Sequence, residues 1–153
     1  MSTVSKNRRF NQQILINPDI TIADIEKMSQ HSMVAHLGII FTDIGSDYLI
    51  AKMPVDYRTT QPMGILHGGA SVTLAETLGS IAAHLSIDNK KYAAVGLEIN
   101  ANHTSSVSEG FVYGKAKSIH IGRSTQVWEI KITSENQKLV CVSRITMAII
   151  EKR

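Results

Sequence analysis

Cysteine is almost absent from this chain: of 153 residues, only Cys141 carries a thiol. One thiol cannot close a disulfide, a zinc knuckle or a CxxC redox pair within the chain, so a disulfide-stapled module is excluded and a reducing, cytoplasmic setting is expected. Aromatic residues make up 5%, too few for the stacking surfaces that single-stranded nucleic acids require. A body-wide excess of one charge is missing too. The net charge is +3, but Lys6, Arg8, Arg9, Lys152 and Arg153, offset by Glu151, put +4 in the two tails and leave −1 in the body. No basic face for nucleic acid is expected.

Long apolar runs are equally scarce. The longest nearly charge-free stretch, 68–87, has the length of a membrane span but contains Ser71, Thr73, Glu76, Thr77, Ser80 and His84. Such groups are costly in lipid, so no membrane partner is expected. The polar, basic N-terminus has no apolar core of a secretory signal. What is present is a soluble globular balance, 43% hydrophobic and 19% charged, in a length that suits one domain. We expect a flexible tail over 1–13 and a single domain over 14–153.

Periodicity orders that domain. A short helix is predicted over 18–30, with Thr21 as its cap and Asp24 as the capping-box partner, then a turn of helix over 33–36 stopping at Gly38. Strands over 37–44 and 48–55 join around Gly45-Ser46-Asp47. A polar, turn-rich loop over 56–64 then delivers His67-Gly68-Gly69 to a helix over 69–86. In that helix Ala70, Leu74, Leu78, Ile81 and Leu85 form one stripe, and much of the remainder is apolar as well. A helix of this kind is best wrapped by a sheet. Strands over 92–102, 111–120, 125–134 and 139–150 follow and are expected to form an antiparallel meander, the last two separated by the turn signal at 135–138. The fold class is α+β, one antiparallel sheet around one long central helix.

Chemistry concentrates at the helix start. Gly68 and Gly69 expose backbone N–H groups where the unpaired donors and the dipole of a helix N-terminus favour negative charge, which is the physics of an oxyanion hole. Glu76 is the one acidic side chain of the helix, set among apolar neighbours where its ionised form is disfavoured unless a partner compensates. Taken alone, such a carboxylate is more often a solvated or structural group than a reactive one. Ser80 follows at i+4, within reach of the same position. His31 and His36 have no metal-ligand partners at a convincing spacing, and no metal site is expected. Asp56 and Arg58 are read as a local pair.

Three motifs change the weighting: HGGASVTLAE over 67–76, VGLEINANH over 95–103 and IHIGRSTQVWEI over 119–130. With them the chain resembles the hotdog-fold thioesterases of the phenylacetate-degradation type, most of all the 1,4-dihydroxy-2-naphthoyl-CoA thioesterases and the siderophore-pathway proofreading thioesterase. The likeness runs from about residue 28 to residue 150. It implies hydrolysis of an acyl-CoA or aroyl-CoA thioester without a cofactor, CoA being part of the substrate.

The resemblance also implies roles. Glu76 is nucleophile or general base, and the Gly68 N–H polarises the thioester carbonyl. Gln61 and His67 lie beside the carbonyl and the sulfur, and Ser80 helps to hold water or the acyl group. CoA is gripped by Gly96, by His103, Thr104, Ser105 and Ser106, and by His120, Ile121, Gly122, Arg123, Ser124 and Thr125. Ile81 and His84 border the acyl pocket. The family's sites are shared between two subunits, so a homodimer is expected, assembled further into a homotetramer. Two departures stand out. Ser105 occupies a position where relatives often carry arginine, leaving Arg123, Lys90 or Lys91 for the phosphates, and His84 stands where a relative can carry an aromatic. Two other functions share the ligand class: a hotdog enoyl-thioester dehydratase or hydratase, which would lean on a catalytic histidine, and a non-catalytic acyl-CoA binding protein, which has no use for Glu76.

Overall fold

Thr21 opens the first helix through the predicted capping box. Asp24 N–H donates to Thr21 Oγ1 at 3.3 Å, and Thr21 N–H donates to Asp24 Oδ2 at 2.9 Å. This is seen in a computed structural model that describes residues 16–152; the expected tail over 1–13 lies outside the described residues. The helix, α1 (Ile22–Ser29), is shorter than its predicted span because Gln30 is already extended. A single turn, α2 (Met33–His36), ends as Leu37 caps it and Gly38 turns the chain at φ +69°. The first strand, β1 (Ile40–Ile44), therefore starts three residues later than the alternation suggested.

The remaining elements are β2 (Tyr48–Pro54), α3 (Gly68–Leu85), β3 (Tyr92–His103), β4 (Phe111–Ile121), β5 (Thr125–Ser134) and β6 (Leu139–Glu151). They form one six-stranded sheet in the order β1-β2-β4-β5-β6-β3, antiparallel at every step. Helix α3 lies across one face and touches all five strands from β2 to β6. Leu74, Leu78, Ala82 and Leu85 enter the sheet's concave side against Val112, Ala116, Trp128, Ile130 and Ile145, all buried. Burial of this stripe is what seats the helix: cutting a buried leucine back to alanine in such a core costs about 2–5 kcal/mol. The sheet wrapped around its helix is the hotdog fold. No helix among the described residues is long and apolar enough to cross a membrane.

The two sheet edges differ. At β1 the Phe41 N–H is taken by Glu26 Oε1 of α1 at 3.1 Å, so a helix covers that edge. At β3 twelve residues run with one side unpaired, and Val95 and Leu97 are 45% and 62% exposed. A long open edge with apolar side chains is a template for another strand.

Cys141 lies on β6 with no exposure, and burial pushes its thiol pKa up. The native chain is therefore expected not to react with an aromatic disulfide reagent over minutes, while the guanidinium-unfolded chain yields its single thiol. Rapid native labelling would contradict this packing.

Candidate active site

The loop entering α3 is fixed by its own backbone. Leu66 N–H donates to Val107 O at 2.7 Å, His67 N–H to Thr59 O at 2.8 Å, and Gln61 N–H to Ile65 O at 2.9 Å. Thr59, almost fully buried, donates its hydroxyl to Pro54 O at 2.6 Å. Asp56 and Arg58 pair as read from sequence, Nη2 to Oδ2 at 2.6 Å, and the guanidinium holds the carboxyl below the usual carboxylate range. The loop is thus a rigid arm that presents Gln61 and the first turn of α3.

Helix α3 begins one residue earlier than predicted because His67 is its N-cap. His67 Nδ1 accepts from the Gly69 N–H at 2.8 Å. In the neutral ring the proton then sits on Nε2. The Ala70 and Ser71 N–H groups bond back to the His67 carbonyl, at 3.0 and 3.2 Å. Of the first-turn donors, only the Gly68 N–H has no acceptor among the described residues. It opens on a cleft of about 440 Å³ walled by Gln61, Ile65, Leu66, Ser71, Val140 and the run His103–Ser106. Gly68 stands close to the His103 ring: a Cβ would be 2.8 Å from its Nε2, so any side chain here moves that imidazole. The Gln61 carboxamide is held too, its Oε1 accepting from Met63 N–H at 2.5 Å.

Glu76 is not a wall of that cleft. Eight residues separate it from Gly68 on one helix, a rise of about 12 Å. It is half-buried rather than sunk in the core, because it falls on the stripe Thr73, Glu76 and Ser80, turned away from Leu74 and Leu78. Ser80 Oγ donates to Glu76 Oε1 at 3.4 Å and also lies 4.0 Å from Met147 Sδ. Gly96 on β3 faces the carboxylate so closely that a Cβ there would be 2.9 Å from Oε1. Further along the helix Ile81 and His84 are half-buried, and burial, then Lys152, holds the His84 imidazole below its ordinary value.

The expected CoA residues fall into two groups. His103 pairs with Cys141 at one end of β6, whereas Thr125 pairs with Ala148 toward the other, about 23 Å away along the strand. His103, Thr104, Ser105 and Ser106 therefore join Gln61 and Gly68. His120, Ile121, Gly122, Arg123, Ser124 and Thr125 close the β4–β5 hairpin at the end of the sheet where α3 finishes. His67 goes with neither group. Its ring lines a separate groove with Met33, Leu37 and Thr73. Within one chain the expected site residues thus lie in two separate groups, one with the N–H donor and one with the carboxylate.

Sequence reasoning missed Ser71, Ile65, Leu66 and Val140 in the cleft walls, and Met147 beneath Ser80. Ser71 was within reach, since i+3 from Gly68 is the same helix face. Among the described residues no group of three or more His, Cys, Asp and Glu could hold a metal ion.

This geometry has company. The thioesterase superfamily model matches residues 63–141, which contain the helix start, Glu76 and both groups of strand-end residues. The 1,4-dihydroxy-2-naphthoyl-CoA hydrolase of Escherichia coli is 50% identical over 131 residues, covering 86% of this chain and 96% of that protein. Among solved structures, a variant of a Pseudomonas aeruginosa thioesterase superposes with a TM-score of 0.88 at 42% identity, over 90% of this chain and 99% of that one. A Haemophilus influenzae thioesterase does so with a TM-score of 0.86 at 46% identity, over 90% and 95%. With the family model spanning more than half of the chain and these relatives aligned along nearly all of it, the chain belongs to the thioesterase superfamily, as a hydrolase of hotdog fold.

Proposed function

We propose that the chain hydrolyses an acyl-CoA thioester, an aroyl-CoA first among them, to the free acid and CoA, in a homodimer whose two sites each draw on both chains. The observation that carries this reading is the separation of the free Gly68 N–H from Glu76: the donor and the carboxylate lie too far apart on one helix to act on one carbonyl. A twofold axis that pairs the open β3 edges would exchange the halves, bringing Glu76 of one protomer to Gln61 and Gly68 of the other. The exposed Val95 and Leu97 support that pairing. We extend the assembly to a tetramer and place it in the cytoplasm, where a single free thiol persists.

The chemistry needs no cofactor. The thioester oxygen accepts from the Gly68 N–H, with the helix dipole behind it, so charge developing on that oxygen is met by a fixed donor. Glu76 either attacks the carbonyl or takes a proton from a water that does. In the second course hydroxide adds, the tetrahedral oxyanion collapses, and the C–S bond breaks to release CoA thiolate, which recovers the proton from Glu76. Ser80 steadies the carboxylate, and Ile81 and His84 border the acyl group. His67 acts through its cap, which uses up the Gly69 N–H and leaves that of Gly68 as the free donor. The hairpin 120–125 and the run 103–106, from opposite chains, take the CoA moiety.

Thiol release across aroyl-CoA, short-chain and long-chain acyl-CoA esters tests the proposal. An aroyl-CoA is expected to give the highest kcat/KM. Release from none of the esters, or hydration of an enoyl thioester without free thiol, would refute it.

A further inference from the structure

We propose that Gln126, which no part of the reaction above uses, is a positioning residue for the CoA end of the substrate; the inference rests on the proposed role of the β4–β5 hairpin in holding CoA. Gln126 is 1% exposed, in a wall otherwise apolar. Its carboxamide has a fixed orientation, because Trp128 Nε1–H can only donate and does so to Gln126 Oε1 at 3.0 Å. Gln126 Nε2 therefore donates to Ser86 Oγ, also at 3.0 Å, with Oε1 3.2 Å from the same hydroxyl. Ser86 is the C-cap of α3, and its hydroxyl donates to Ala83 O at 2.8 Å. A methionine would fill the same volume, whereas a buried amide is costly unless every partner is in place. What the amide adds is a fixed distance between the end of the helix and the root of the hairpin.

The hairpin needs such a fixed root. A bulge between Ser118 and His120 breaks the β4–β5 register just before the turn. Beyond it the closing contacts are the His120 to Val127 and Ile121 to Gln126 pairs and the Gly122 N–H bond to Thr125 O at 2.8 Å. On the far side, Ser124 O accepts from Ile149 N–H at 2.8 Å. Arg123, exposed at the tip, has no carboxylate partner among the described residues. It is the hairpin's free cation for a phosphate. Gln126 sets where that cation stands relative to α3, and so relative to Glu76, Ser80 and the thioester.

The test uses the intact protein with Gln126→Met and Ser86→Ala, assayed well below the Tm of each variant. CoA Kd and the KM for acyl-CoA are expected to rise about tenfold, the upper end of what loss of one hydrogen bond produces. At the same time kcat, and the KM for the matching N-acetylcysteamine thioester, which has no nucleotide, are expected to hold. A lower Tm with unchanged CoA Kd would overturn the inference, because the network would then only stabilise the fold. Equal KM rises for both thioesters would overturn it as well. Wild-type protein that binds CoA but releases no thiol would defeat the hydrolase reading and leave the Kd comparison as the test of Gln126; wild-type protein that does not bind CoA would defeat the inference.

Discussion

Glu76→Ala is expected to lower kcat for thioester hydrolysis about 100-fold or more and to leave CoA Kd within about twofold, the split that marks a group acting in the transition state rather than in binding. The position of the carboxylate gives it little part in stability. Its recorded hydrogen-bond partner is the Ser80 hydroxyl at 3.4 Å, and it lies on the half-exposed side of α3. Alanine is a better helix former than glutamate, so Tm is expected to hold or rise slightly. Glu76→Gln separates the charge from the shape, since it keeps the volume facing Gly96 and a partner for Ser80. A comparable loss in Glu76→Gln assigns the effect to the ionised carboxylate. Turnover of Glu76→Ala above about a tenth of wild type would remove Glu76 from the reaction.

How much of this could be read before the structure depends on the kind of information each feature needs. Local signals were legible. The Thr21 capping box formed as spelled, and turn chemistry around 135–138 separated β5 from β6. Glu76 and Ser80 met because i+4 on a helix leaves them no alternative. The expected meander holds for β4, β5 and β6 but not for β3, which crosses to the far edge beside β6, because strand order is a long-range choice that alternation does not encode. That placement also explains why the two segments expected to hold CoA separate. Three antiparallel steps lie between β4 and β3, so the strands run in opposite directions and their C-terminal ends lie at opposite ends of the sheet. The depth of Glu76 was overestimated, because the many alanines of α3 hide which face is buried. The Gln126, Trp128 and Ser86 network was invisible, since it joins positions 40 residues apart through side chains that read as ordinary strand and loop residues.

The same split predicts a recovery that no single-chain site could show. Gly68→Pro is the matching lesion in the other half: it deletes the N–H itself, and proline is favoured at the first helical position. His67, at φ −71° and ψ 131°, already has the backbone that a residue before proline adopts. The new Cβ would meet the His103 imidazole, a movable side chain, rather than backbone. Each homodimer, Glu76→Ala or Gly68→Pro, is expected to lose about 100-fold in kcat. A heterodimer of one chain of each, isolated through two different tags, contains one site with both lesions and one site with neither. It is therefore expected to regain about half of wild-type activity. If Glu76 and Gly68 of the same chain formed a site, every site in the heterodimer would carry a lesion, and activity would stay at the level of the parents. Recovery to about half, read by thiol release on the doubly tagged species, is expected because a helix that holds its donor and its carboxylate about 12 Å apart can serve a carbonyl only in company with its copy.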